Sequence, residues 1–246
     1  MGATEGLAYW WMHPAPAGLD QPVLCYRPGA GGQRPATSSL TSDLRPPTSD
    51  LPSSTISSSS LASCVSSPST FTLLPDVAAR SLPRLGATTG VVARIDRADN
   101  VTIHAAFFEW DLIGSKSITV LEAFIHLPEE CMGSIGMKLI EHQPPHSYQV
   151  GSETLTFDHT VFRDPGGILV HTFKSTWVSG TSTLIGNGVR GGMNQWRQLH
   201  FGMALKRFRP AYSRVAQGAV RGIANPALAW QAFQDTMLVD LKFENR

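Results

Sequence analysis

The chain predicts an all-β protein with minor helices, a β-sandwich or barrel core preceded by a disordered arm rich in Ser, Thr and Pro. Three observations carry this prediction. Composition changes near residue 70: between residues 36 and 70 stand 14 Ser, 5 Thr and 4 Pro, and large apolar side chains are too sparse there to offset the entropy of ordering the backbone. Beyond that point short β-compatible runs follow one another, at 90–95, 101–110, 117–127, 135–141, 152–162, 167–178 and 198–208. Turn pairs such as Asp99-Asn100 and Gly114-Ser115 punctuate these runs, with few helical patterns between them, which argues against βαβ units.

Residues 1–69 form the predicted arm. A short repeat, TSDLRP then TSDLP, starts at Thr41 and Thr48. The hydroxyl-rich stretch is open to phosphorylation, Ser67-Pro68 being one candidate. The arm holds Arg27, Arg34 and Arg45 against Glu5, Asp20, Asp43 and Asp50. An arm that packaged nucleic acid would carry the opposite balance, because affinity comes mainly from neutralised phosphates.

Residues 70–246 form the predicted core, long enough to bury a sizeable interior. The strand over 117–127 alternates imperfectly and reads as partly buried on both faces. A loop with Gly133 follows, then a second strand over 135–141 with Ile135, Met137 and Leu139 on one face. Glu141 closes that strand, and Pro144-Pro145 ends it, because proline cannot donate to a ladder. Residues 211–220 suggest a short helix. Asn225 is suited to cap another, with Pro226 at its first position, and Leu228, Trp230 and Phe233 then pack it as far as about Gln234. Residues 237–243 alternate and predict a final strand that returns to the sheet.

The totals exclude some functions. With 20 basic and 19 acidic residues, bulk charge selects no partner. Cys25, Cys64 and Cys131 have no CxxC spacing, which fits a reducing compartment. No signal peptide is expected, and no apolar run reaches the roughly 18 residues that span a bilayer, so no transmembrane segment is expected. Asn100-Val101-Thr102 matches a glycosylation sequon that has no use without export.

Candidate chemistry is sparse. Gly186, Gly188 and Gly191 spell GxGxxG, but no acidic residue follows from Arg190 through Arg221, so the dinucleotide fingerprint is incomplete. His142 and His146 stand four apart, a zinc spacing only on a helix, which Pro144 and Pro145 forbid. No GxSxG elbow occurs. The expectation is therefore no enzyme, no cofactor and no metal. One charged cluster remains: Arg190, Arg197, Lys206, Arg207, Arg209, Arg214 and Arg221, without an acid among them. Trp196, Phe201, Phe208 and Tyr212 are interleaved. Cations for phosphates and rings for bases suit single-stranded nucleic acid; the alternative is core rings and a solvated strand edge.

Residues 127–141, LPEECMGSIGMKLIE, resemble the signature of the 30K superfamily of plant viral movement proteins in its tobamovirus-like form. In that signature a hydrophobic strand leads into a loop with a glycine (Gly133 here). A second hydrophobic strand containing Leu139 then ends in an acidic residue. Glu141 stands where the family usually has aspartate, and Gln143 where it often has arginine. The resemblance covers about residues 90–210. It implies a single jelly-roll-like β-sandwich and binding of viral single-stranded RNA. It also implies localisation to host cytoplasm and plasmodesmata, with plasmodesmal, cytoskeletal or endoplasmic-reticulum components and self-association as partners. On this reading Glu141 is structural, accepting backbone N–H bonds at the end of a buried strand. Two alternatives stay open. One is a viral jelly-roll coat protein; the other is a metal- or ligand-binding β-sandwich using His142, His146, His159 or Glu141.

Overall fold

A computed structural model describes residues 15–17, 22–28, 69–111, 128–179 and 208–245. For 15–17, Glu130, Phe208 and Arg209 the backbone alone is described. The fold is all-β with minor helices, as predicted. Its centre is a seven-stranded antiparallel sheet in the order β3-β4-β5-β10-β8-β7-β6. These strands are β3 (Ser69–Leu73), β4 (Thr89–Arg97), β5 (Thr102–Asp111), β6 (Lys138–Val150), β7 (Glu153–Arg163), β8 (Leu169–Val178) and β10 (Tyr212–Arg221). Two meanders, β3-β4-β5 and β6-β7-β8, are joined by β10, which pairs with β5 on one side and β8 on the other.

The β4–β5 turn is made at Asp99-Asn100, where Asn100 takes φ 61°, a left-handed conformation that asparagine tolerates better than most residues. Helix α1 (Pro75–Leu85) follows β3, and α2 (Pro128–Ser134) precedes β6. Helix α3 (Pro226–Thr236) starts as predicted: the Asn225 side chain accepts from the Ala227 and Leu228 amides at 2.9 and 3.2 Å, with Pro226 in the first turn. A short 3-10 turn (Leu238–Asp240) leads to β11 (Leu241–Glu244).

The chain end does not rejoin the seven-stranded sheet as expected: the extended part is β11 alone, and its partner in a separate two-stranded ribbon is β2 (Val23–Tyr26), a piece of the expected arm. Val23, Leu24, Cys25 and Tyr26 are all buried, so this piece belongs to the packed core. Arg27 and Glu244 pair in a bidentate contact at the end of the ribbon. A second short pairing joins β1 (Ala15–Ala17) to β9 (Phe208–Pro210) in parallel. The rest of the arm, with Cys64 and Ser67, lies outside the described residues, as do the strand expected over 117–127 and most of that over 198–208.

One face of the sheet carries Ile95, Ile103, Ala105, Phe107, Leu155, Phe157, Phe173, Ala216 and Val220, and packs under Trp230 and Phe233 of α3 and Leu24 and Leu241 of the β2–β11 ribbon. A jelly roll packs two sheets; among the described residues, α3 and this ribbon form the second layer. Phe233 lies so close to β10 that a Cβ at Gly218 would overlap its ring, and would also sit 2.9 Å from the His104 carbonyl. The other face is covered in part by α1 and α2.

Three local expectations are corrected. Residues 211–220 are not a helix but the central strand β10, where ladder partners on both sides outweigh alanine-rich helix propensity. Residues 128–133 are not a loop but most of α2. The strand expected to stop before Pro144-Pro145 runs on to Val150, with irregularities between Leu139 and Glu141 and between Gln143 and His146. Strand β6 is at the sheet's end in the described strand order, and an edge strand tolerates prolines at bulges because its outer donors have no ladder partner to lose.

Candidate functional site

The residues of the resembling motif are separated by this geometry. Gly133 lies within α2, and a side chain there would meet nothing within 4 Å. The glycine that the backbone requires is Gly136, at φ +82°. Its amide donates to the Gly133 carbonyl and the Met137 amide to that of Met132, a Schellman closure of α2. Leu139 is 41% exposed. Glu141 is exposed near the start of β6, where its carboxylate accepts from the Gln143 side chain. It therefore does not end a buried strand, and the anchoring role expected of it is not the one it has here.

The cationic cluster divides. Arg190, Arg197, Lys206 and Arg207, with the GxGxxG glycines, lie outside the described residues, and so does the Arg209 side chain. Arg214 is 1% exposed. Its Nη1 donates to the carbonyls of Trp110 and Ser213 at 2.9 and 2.7 Å, its Nε lies 3.6 Å from Glu109 Oε1, and its guanidinium sits 5.3 Å from the Tyr212 ring centroid. Assigning it to nucleic acid is thus corrected: it faces into the sheet, where no phosphate reaches. Arg221 is half-exposed and paired with Asp164 Oδ2 at 2.8 Å through both Nε and Nη2. Asp164 also accepts from the Ile168 amide, and these bonds hold its carboxyl below the usual range.

The histidines are arranged differently from any metal spacing. The bulge at Pro144-Pro145 inserts one residue between His142 and His146, which puts them on opposite faces of β6. His142 Nδ1 faces α2, 3.6 Å from Glu129 Oε1 and 3.4 Å from Thr160 Oγ1. His146 turns to the α3 side, stacks on Trp230 with centroids 4.5 Å apart, and begins a chain of three rings. His146 Nε2 lies 2.9 Å from His159 Nδ1, His159 Nε2 lies 2.9 Å from His171 Nδ1, and His171 Nε2 lies 3.0 Å from the Ile223 carbonyl.

That carbonyl sets the polarity of the chain. A carbonyl only accepts, so His171 Nε2 carries the proton and donates. With neutral rings, His171 Nδ1 then accepts from His159 Nε2–H, and His159 Nδ1 accepts from His146 Nε2–H. Burial lowers the pKa of all three, and that of His159, flanked by the other two, to about 3. Ring nitrogens consumed in this way do not converge on one point. Among the described residues no group of three or more His, Cys, Asp or Glu side chains is placed to hold a metal ion.

On the opposite face, β5, β8 and β10 form the floor of a cavity of about 350 Å³. Leu85 and Arg84 of α1 and Met132 of α2 stand at its walls, over Phe108, Trp110 and Val215. The polar groups on its floor are Thr172, Lys174, Gln217 and His104. Lys174 is opposite Asp158 on one neighbouring strand and Gln217 on the other.

Sequence reasoning missed both the histidine chain and this cavity. A signal for the chain existed: His159 and His171 alternate in step with Phe157 and Phe173, which marks them as inward-facing. The pairing register that brings them together is not visible along one strand. No family model, no curated protein and no solved structure matches this chain.

Proposed function

We propose that this chain is a non-enzymatic, single-stranded RNA-binding protein of the movement-protein kind, which carries viral RNA from host cytoplasm through plasmodesmata. The observation that carries the RNA-binding part is the segment 190–209, with Arg190, Arg197, Lys206, Arg207 and Arg209 and no acid. It runs directly into β9 and the central strand β10. Arg214 and Arg221 are engaged within the protein, so these five cations bear the phosphate contacts, with Trp196, Phe201 and Phe208 as stacking partners. Contacts of this kind are sequence-independent and salt-sensitive. The transport part is supported by the resemblance at residues 127–141 and by a β-rich core.

The test has two arms. Purified full-length protein is titrated with single-stranded RNA of scrambled sequence at low salt; binding supports the reading and its absence overturns it. A fluorescent fusion in leaf cells is expected as paired puncta across walls, whereas diffuse cytosol contradicts the transport part. Assembly of the pure protein into closed shells would replace the reading with that of a coat protein.

A further inference from the structure

The histidine chain has a proton capacity that its geometry fixes. With neutral rings, His146 Nε2 donates to His159 Nδ1, His159 Nε2 to His171 Nδ1, and His171 Nε2 to the Ile223 carbonyl. His146 Nδ1, on a half-buried ring, remains as the acceptor at the open end. One proton fits there with all three bonds kept. A second does not fit. On His159 Nδ1 it would face the N–H of His146 across 2.9 Å, and on His171 Nδ1 it would face the N–H of His159 across 2.9 Å. Two donors set against each other replace a hydrogen bond by a repulsion.

Both ends of the chain hold the same piece of the molecule. His146 stacks on Trp230 of α3 at 4.5 Å. Ile223, which accepts from His171, stands just before Asn225, the cap of α3. The histidines themselves sit on β6, β7 and β8, which backbone ladders hold together. Helix α3 packs on these strands by side chains, Trp230 and Phe233 lying over Phe157 and Phe173. Lifting α3 admits water to the rings and breaks no ladder bond, so repulsion within the chain is relieved there first.

The surrounding charges do not offset the effect. Glu141 shares this side of β6 and favours a charged His171, but burial outweighs it and lowers all three rings. Asp235 of α3 is exposed and acts on Tyr148 and Arg97. Lys138 and Arg163 are ladder partners at the exposed end of β6 and β7. Asp158, Lys174 and Arg221 alternate to the opposite face of the sheet. On the β2–β11 ribbon Arg27 and Glu244 pair with each other, and Lys242 is exposed.

We propose that His146, His159 and His171 form an acid-sensitive latch: uptake of a second proton by the chain frees α3 from the sheet and uncovers Phe157 and Phe173, while the seven strands stay paired.

Closed, the chain holds at most one proton; open, its three rings hold three below about pH 6. Opening therefore takes up at least two protons, and its equilibrium constant rises about a hundredfold for each pH unit of acidification. Hydrogen exchange of the full chain, read by mass spectrometry between about pH 7.5 and 4.5 as protection over the intrinsic rate at each pH, tests this. Protection of the α3 amides is expected to fall with that slope below about pH 6, while β4 and β5 keep theirs. His146→Phe keeps a ring on Trp230 and removes the open end of the chain; His159→Gln removes the ring between the other two. Each variant is expected to take about a factor of ten per pH unit from the dependence, the share of one titrating ring. Protection of α3 that does not change with pH, loss of protection in β4 and β5 in step with α3, or an undiminished dependence in either variant would overturn the latch.

Discussion

Arg214 shows how residue-scale chemistry depends on register. In sequence it is one of seven cations with no acid nearby; in the sheet it faces Glu109 across the ladder and donates to two carbonyls. Removing it leaves acceptors unpaired in a dry site, at about 1–3 kcal/mol each. Arg214→Ala is therefore expected to lose about 3 kcal/mol of stability, read from the denaturant midpoint. A midpoint equal to that of the wild type would contradict the burial. The histidine chain has a pH signature. His159 binds a proton near pH 6.5 when unfolded and only at about pH 3 when folded. Between those values the unfolded state holds more protons, so stability is complete above about pH 6.5 and falls as pH falls. His159→Gln, which keeps a donor and an acceptor, is expected to flatten the stability profile between about pH 6.5 and 4. An unchanged profile would show that the ring is not held neutral by burial.

Elements whose ends are set by local chemistry were legible. Asn225 and Pro226 define the start of α3, and Asp99-Asn100 defines the β4–β5 turn, because the capping and turn groups are adjacent in sequence. Elements chosen by tertiary context were not. YSRVAQGAVR has Ala216 and Ala219 and no clean alternation, yet two neighbouring strands make it β10. Pro144-Pro145 reads as a stop in the sequence, because the place of β6 at the end of the described strand order, which tolerates it, is a property of the sheet. Gly218 is the clearest case: glycine in a strand interior reads as a weakness, but it makes room for Phe233, which is stacked on Phe173 at 5.0 Å. Gly218→Ala is expected to cost about 1–3 kcal/mol by overpacking and to lower the thermal midpoint. A neutral outcome would mean that α3 is not seated on β10 at this distance.

At the scale of the molecule, the fold class was legible from run length and turn spacing. The candidate sites were not, because the cavity, the histidine chain and the burial of Arg214 all arise from pairings between distant strands. The boundary of the arm was blurred for the same reason: VLCY is too short to read as a strand alone, and only β11 gives it a partner. Deleting residues 1–28 would uncover Leu241 and Phe243, and is expected to lower the thermal midpoint; an unaltered midpoint would show that β2 contributes nothing to the core. The division of the cations is the central claim. It assigns RNA contact to the segment ending at Arg209 and withholds it from the arginines of β10. The direct measurement is the salt dependence of affinity for single-stranded RNA in the wild type, in Lys206→Glu/Arg207→Glu/Arg209→Glu, and in Arg221→Gln. Each phosphate contact contributes about 0.7 to the logarithmic slope, so the triple variant is expected to lose about 2 from it, with Arg221→Gln unchanged. A triple variant with the wild-type slope, or an equal loss in Arg221→Gln, would contradict the assignment.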